Sequence, residues 1–423
     1  MTLRTLSLIP MHGSIALDRS MTLDVLVKIV PPAIDPSVER PPLNLGFVLD
    51  RSGSMHGSKI DYARQAVAYG IEQLLPSDRL SLTLFDTTVQ TEIPSTLATD
   101  KQCLLEVVRC IRPGSSTALH AGWVNGGMQV SQYLNPKHLN RVILLSDGLA
   151  NVGETNPDAI ATDVHDLMQR GVTITTLGIG ADYDENLLEA MARSGDGNFF
   201  HIETPDQLPD IFATELQGLV GTVGQNVALS LTPLARAAIA DVLNDLERTP
   251  TGSLKLPSLT VGSPIHVVLR LHTPALQRKT ELMQVSLQWQ SPQNLEPMTL
   301  TETLALSPVR PEQMSDFPAH PEVQEQVALL MAARARKEAV QCADSGDLSG
   351  ASAALRESAA VLAAMPAASP AIAEEVTVIQ TLADDFETGK MASARKRALS
   401  EAFNLNRSRA SEYGKRKPNK SDQ

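Results

Sequence analysis

The sequence predicts an α/β protein. A doubly wound, mostly parallel sheet is inserted into a β-sandwich, and an α-helical C-terminal region follows. Three observations carry this. Between residues 43 and 221, short apolar strands alternate with segments whose apolar residues recur at helical spacing, the pattern of a doubly wound α/β domain. Segments of β character lie on both sides of that stretch. From residue 321 the composition turns rich in Ala, Glu and Leu, with helical periodicity.

Residues 1–42 hold the first β-like segments, 14–17 and 23–30, punctuated by Pro31-Pro32 and Pro41-Pro42. They are assigned to the N-terminal part of the sandwich. The α/β domain, 43–221, opens with a strand at 45–49 and a helix at 59–75, where Ile60, Ala63, Val67, Ile71 and Leu74 share a face. A strand at 79–85 and helices at 100–111 and 117–133 follow. The run 141–146 is almost wholly apolar, as expected in the middle of a parallel sheet. Asn156-Pro157-Asp158 opens a helix that Gly171 ends. Strands at 172–179 and 198–202 and helices at 185–193 and 205–219 complete the alternation.

Residues 222–310 return to β character, with strands expected at 227–231, 253–256, 265–271, 283–289 and 299–306. One sandwich built from both flanks is the economical arrangement, and two separate β-segments are the other. The helical region, 321–410, begins with helices at 321–342 and 348–365, joined by a turn. They resemble a single tetratricopeptide-like hairpin, with no second copy at the repeat period. Residues 366–370 break the chain, and helices at 371–386 and 390–403 follow. Residues 411–423 read as a basic flexible tail. From 395 onward Lys and Arg outnumber Asp and Glu, which reads as a solvated terminus or as a segment for an anionic partner.

The chain has 423 residues, 43% hydrophobic and 20% charged, which is a globular composition. A net charge of −12 argues against nucleic-acid binding. No run of apolar residues is long enough to span a membrane, and no signal peptide is read at the N-terminus. Cys103 and Cys110 lie about 10 Å apart along an expected helix, too far for a disulfide. With Cys342 they read as reduced, buried thiols of a cytoplasmic protein.

The chemistry lies at strand ends. Phe47-Val48-Leu49-Asp50-Arg51-Ser52-Gly53-Ser54 takes an apolar strand into an aspartate and two hydroxyls. Hard oxygen donors with few carboxylates suit Mg²⁺. Asp, Ser and Gly are also ordinary turn residues, so this stretch alone leaves metal loop and polar turn both open. Two further clusters narrow the choice. Gly114-Ser115-Ser116-Thr117 leads into a helix, and Leu144-Leu145-Ser146-Asp147 runs an apolar strand into a second aspartate. Ligand sites of doubly wound sheets form beyond the carboxyl ends of strands, so Asp50, Ser52, Ser54, Thr117 and Asp147 are expected to converge.

With these residues in place, the stretch from about 43 to 220 resembles the von Willebrand factor type A family and its metal-ion-dependent adhesion site. That pattern is Asp-x-Ser-x-Ser, then a Thr, then a strand-ending Asp, and all five positions are filled. The resemblance implies a Rossmann-like fold and a divalent ion held by Asp50, Ser52, Ser54, Thr117 and Asp147. Mg²⁺ is expected first, and Mn²⁺ and Ca²⁺ fit the same donors. It also implies an open coordination position that an Asp or Glu of a protein partner fills. More loosely, the flanks resemble bacterial proteins of the inter-alpha-trypsin inhibitor heavy chain and calcium-activated chloride channel regulator kinds. Those often carry a secretion signal or anchor, and none is read here.

Asp86 follows a strand end and reads as a turn residue or as an acid behind the metal ligands. His56 and His120 lie beside the site, although Mg²⁺ does not favour imidazole. Asn151 and Glu154 are expected on the rim, and Trp123 and Trp289 in packing roles. No Walker A, His-Glu-x-x-His or Gly-x-Ser-x-Gly motif occurs. The expected function is therefore Mg²⁺-dependent protein binding without catalysis. The alternatives are an adaptor for an intracellular AAA+-type ATPase and a Mg²⁺-dependent hydrolase. The sequence leaves the partner and the oligomeric state open.

Overall fold

The computed structural model describes residues 5–33, 39–293, 295–365 and 369–408. The tail at 411–423 and most of the break at 366–370 lie outside them. Strands β1 (Leu6–Pro10), β2 (Ile15–Ala16) and β3 (Met21–Ile29) precede the α/β unit. That unit begins with β4 (Leu43–Asp50), all eight residues of which are buried. Then come α1 (Ser58–Gln73), β5 (Arg79–Phe85), β6 (Val89–Leu97), α2 (Lys101–Arg109), α3 (Leu119–Ser131), β7 (Leu139–Ser146), α4 (Pro157–Gln169), β8 (Thr173–Ile179), α5 (Glu185–Ser194), β9 (Phe199–Ile202) and α6 (Leu208–Val220).

The sheet runs β6-β5-β4-β7-β8-β9, parallel except for β6, which pairs antiparallel with β5. The central strands β4 and β7 are buried along their whole length, which is why they read as largely apolar, with Asn44, Asn140 and Arg141 as buried polar exceptions near their starts. One face of the sheet packs on α1, α2 and α6 around Phe47, Leu82, Ile143 and Phe212. The other packs on α3, α4 and α5 around Val48, Phe85, Trp123 and Leu144. Helix α3 lies close to the sheet because of its glycines. A Cβ at Gly122 would sit 2.6 Å from the Phe85 ring, and one at Gly126 would sit 2.2 Å from Val48.

Strand β6 was not expected. It is rich in Thr and contains Pro94, and its position at the sheet edge is where a missing N–H is tolerated. The thiols also depart from expectation. Cys103 and Cys110 are exposed, because Leu104 and Val108 take the inward face of α2, and Cys342 in the later helical region is half-buried. Several helices are shorter than their apolar spacing suggests. Asp100 is the N-cap of α2, accepting the Cys103 N–H, and is not its first residue.

Beyond the α/β unit, β10 (Thr222–Pro233), β11 (Ala238–Val242), β12 (Leu254–Lys255), β13 (Leu259–Thr260), β14 (Ile265–Thr273), β15 (Thr280–Gln290), β16 (Pro297–Leu306) and β17 (Pro308–Val309) form β-structure together with β1–β3. One antiparallel sheet has the order β1-β3-β14-β11, and a second has β12-β10-β15-β16 with β13 also on β10. Strand β3, before the α/β unit, pairs with β14, after it, from Met21 opposite Thr273 to Ile29 opposite Ile265. The two sheets share one apolar core that includes Val25, Val27, Leu229, Val267, Val285 and Leu287.

Helices α7 (Pro321–Asp344), α8 (Leu348–Ala363), α9 (Pro370–Glu387) and α10 (Met391–Asn406) form the last layer around Leu355, Leu382 and Phe386. Arg336 is fully buried among them and pairs with Glu375 of α9 and Glu401 of α10. Helix α10 also docks on the α/β unit. Glu185 receives Arg395 and Lys396, and Phe403 meets the Phe199 ring edge-on.

Candidate metal centre

All five candidate ligands meet at the carboxyl ends of β4 and β7. Asp50 is the last residue of β4, and Asp147 follows the last residue of β7. Both are fully buried, with Ser52 at 2% and Thr117 at 4% exposure. Ser54 is exposed and marks the open side. The Ser54 hydroxyl donates to Asp147 Oδ1 at 2.6 Å and lies 3.1 Å from the Ser52 hydroxyl. A Cβ on Gly148 would sit 3.2 Å from Thr117 Oγ1, a tight approach, and 3.8 Å from Ser54 Oγ, an ordinary contact, so the backbone there lies close to both hydroxyls.

The loops are tied to one another. The Gly53 N–H donates to Ser115 O at 2.7 Å, and the Gly114 N–H donates to Arg51 O. Thr117 is fixed from the other side, because its N–H donates to Asn151 Oδ1 at 3.0 Å and its carbonyl accepts the Asn151 N–H at 3.2 Å. Asp86 lies behind this lacing. It accepts from the Thr88 N–H and hydroxyl, as a turn residue does, and also pairs with Arg51 at 3.1 Å. Burial works against its ionisation, but the Thr88 hydrogen bonds and the Arg51 charge outweigh that and hold its carboxyl below the usual range.

Asp50 is the electrostatic centre of the site. Burial pushes its carboxyl up to about 6, against hydrogen bonds from Ser146 and Ser52, and the charge of Asp147 adds to the rise. The Ser146 hydroxyl donates to Oδ2 at 2.6 Å and the Ser52 N–H to Oδ1 at 2.8 Å. Burial outweighs these hydrogen bonds and leaves the carboxylate's charge undercompensated, which is the condition a cation relieves.

The sequence reading missed Lys59. From α1 its ammonium reaches Asp147 Oδ2 at 2.5 Å. Its nine-residue offset from Asp50 is visible in the sequence, but the direction of a long flexible side chain is not. The two nearby histidines have other partners. His56 Nδ1 lies 2.6 Å from Gly53 O, and His120 Nε2 lies 2.9 Å from Asp163. Glu154 folds back onto the N–H groups of Thr155 and Asn156 in its own loop. Trp123 and Trp289 are buried.

The donor set suits a small divalent cation. It supplies two carboxylates and three hydroxyls, all hard oxygens, on one concave loop cluster.

Residues 44–214 match the sequence profile of the von Willebrand factor type A domain. The chain carries a von Willebrand factor type A domain. It is 29% identical over 206 residues to the uncharacterized protein sll0103 of Synechocystis, a match covering 47% of each chain. It is 30% identical over 164 residues to inter-alpha-trypsin inhibitor heavy chain H3 of Rattus norvegicus, covering 37% of this chain and 18% of that one. The matches thus span about half or less of these relatives. Among solved structures it is similar to a von Willebrand factor type A protein of Catenulispora acidiphila, with a TM-score of 0.64 at 16% identity over 90% of this chain and 88% of the other. That likeness is one of fold, and it extends beyond the type A domain into the flanking β-structure and the helices. Among the described residues, no helix is long and apolar enough to cross a membrane.

Proposed function

We propose that the type A domain is a metal-dependent protein-binding module. Asp50, Ser52, Ser54, Thr117 and Asp147 would hold Mg²⁺, and a partner's Asp or Glu would complete the coordination. The observation that carries this reading is Asp50, a fully buried carboxylate whose charge is undercompensated amid four further oxygen donors. A divalent ion added to two carboxylates and one ammonium leaves a net single positive charge, which favours an anionic partner group. Ser54 on the open side, with exposed Ser115, Ser116 and Leu149 around it, gives that group access and offers surface for selectivity. Binding without turnover fits best, because both nearby imidazoles are engaged by other groups, His56 by Gly53 O and His120 by Asp163.

Calorimetric titration with Mg²⁺ should give one site in the native protein and none in Asp50→Ala, with unchanged circular dichroism. Partner retention on the immobilised chain should require Mg²⁺ and be lost in Asp50→Ala. Equal recovery in EDTA would reject the proposal.

A further inference from the structure

A second feature has nothing to do with the metal. A cleft of about 1480 Å³ opens where the α/β unit, the β-structure and the helices meet. It is larger than the ~300–1,000 Å³ of pockets for small molecules. It is lined from α6 and β9, from the chain around Ser263 and His266, and from α7, α9 and α10. One of its residues, Arg141, sits near the opposite end of β7 from Asp147.

The lining is strongly acidic, with eight carboxylates against three arginines. Some of these acids are balanced. Glu215 pairs with Arg141, Glu203 with Arg397, and Glu375 and Glu401 with Arg336. Asp206, Asp210, Glu325 and Glu374 have no ion pair among the described residues. Neutral acceptors in the wall point the same way. Asn198 is 2% exposed, and its Nδ2 donates to Glu215 Oε2 at 2.6 Å while its Oδ1 accepts from nothing. Asn404 Oδ1, also in the wall, is likewise without a donor. A wall of surplus carboxylates and buried, unused acceptors calls for a ligand rich in N–H donors and positive charge.

We propose that this cleft is the docking site for the chain's own basic segment, residues 409–423. The segment carries five Lys or Arg (Arg409, Lys415, Arg416, Lys417 and Lys420) against Glu412 and Asp422. It starts at the cleft. Arg407 and Ser408 are lining residues, and Ser408 is anchored at the rim, accepting the His266 N–H at 2.8 Å and donating to His266 O at 3.2 Å. Fifteen residues reach up to about 50 Å when extended, so every wall is within range. Tethering at the rim raises the local concentration of the segment to the millimolar range, which favours it over a basic peptide supplied in trans.

Two measurements on the full chain test this. In the first, a carbodiimide forms zero-length amide bonds between amines and carboxylates already in contact. At low salt, Lys415, Lys417 or Lys420 should join to Asp206, Glu325 or Glu374. The products should disappear at 1 M salt, where the screening length falls to about 3 Å. In the second, a labelled peptide with the sequence of residues 409–423 is added to two full-length proteins. It should bind at least tenfold more tightly to a chain with Lys415, Arg416, Lys417 and Lys420 changed to Ser than to the native chain. That binding should be lost when Asp206→Asn, Glu325→Gln and Glu374→Gln are added. Equal binding to both proteins would mean that the cleft is open to other basic partners, and it would overturn the proposal. So would cross-links to carboxylates elsewhere, no cross-links at all, or binding that survives the three cleft substitutions.

Discussion

Replacing Asp50 by Asn separates the electrostatic cost of the metal centre from the folding of the domain. In the metal-free protein Asp50 is fully buried, and its carboxyl is raised from 3.8 to about 6. A carboxyl with a raised folded-state pKa holds its proton more tightly in the folded protein. Stability is therefore lost as pH rises from about 4 through about 6 and stays low above that. At roughly 1.4 kcal/mol per pH unit the loss at neutral pH is about 3 kcal/mol. Asparagine carries no charge and fills the same space. Its Oδ1 still accepts the Ser52 N–H. Its amide can donate to Ser146 Oγ, whose hydroxyl then turns toward Gly148 O, 3.5 Å away. In EDTA at pH 7.5, Asp50→Asn should therefore be more stable than the native protein by up to ~3 kcal/mol, and the advantage should vanish near pH 4.

The assay is chemical denaturation in EDTA across pH 4 to 7.5, read as the difference between the two proteins so that other titrating groups cancel. The protein has two tryptophans, and Trp289 lies in the core of the β-structure. A Trp289→Phe background leaves Trp123, in the type A core, as the reporter. Adding Mg²⁺ should then stabilise the native protein by an amount that grows with the logarithm of concentration and leave Asp50→Asn unmoved. A stability difference that is flat from pH 4 to 7 would refute the account of Asp50 as an undercompensated charge. An equal Mg²⁺ response in both proteins would refute its role as a ligand.

Lys59→Met removes the ammonium from Asp147, so the metal-free protein should lose about 3–5 kcal/mol through an unpaired buried charge; calorimetry should find Mg²⁺ binding at least about tenfold tighter, and weaker binding would show that Lys59 supports the ion. Gly122→Ala puts a methyl into the Phe85 ring, and an overpacking cost of about 1–3 kcal/mol should exceed the ~1 kcal/mol gained in helix propensity. Thermal melting should therefore fall, with weaker Mg²⁺ binding as α3 and the adjoining Thr117 loop shift; a higher melting temperature would contradict the close packing of α3 on β5. Arg336→Met strands Glu375 and Glu401 in the helical layer and should cost about 3–5 kcal/mol there, seen as early loss of helical circular dichroism while the Mg²⁺ response of the type A domain persists.

How far the sequence carries depends on what each residue's neighbours are. The strands β4 and β7 are legible because burial on both faces favours apolar residues along most of their length, and the ends of those apolar runs mark where Asp50 and Asp147 stand. The pairing of β3 with β14 is harder to read, since those two segments lie more than 230 residues apart and alternate no more clearly than other strands. Strand β6 was hidden by Pro94 and by the polar Gln90, Glu92 and Ser95 between its apolar residues, and β11 by side chains that are only partly buried at a sheet edge. The exposure of Cys103 and Cys110 was not legible because a cysteine is small enough for either face of α2, and the larger Leu104 and Val108 decided which face turned inward.

The same reasoning explains why the candidate ligands were readable and their electrostatic partners were not. Short side chains such as Asp, Ser and Thr stay within a few ångströms of their backbone, so a strand end and a loop nearly determine where their oxygens lie. Lys59 and Arg51 act through long, flexible arms, and their destinations depend on the finished fold. Lys59 reaches across from α1 to Asp147, and Arg51 turns to Asp86 behind the ligand loops. Lys59 would set part of the charge that a metal at this site meets. Without Lys59, the two buried aspartates would almost cancel a divalent ion, and little attraction would remain for a partner's carboxylate. With Lys59 neutralising part of Asp147, the proposed ion would be held less tightly but would keep more of its charge for the open position. On the proposed reading, affinity for the metal and affinity for the partner would trade against each other through one side chain. Lys59→Met should accordingly bind Mg²⁺ more tightly while retaining an acidic partner less well, and a variant that improved both would show that the lysine does not act through charge.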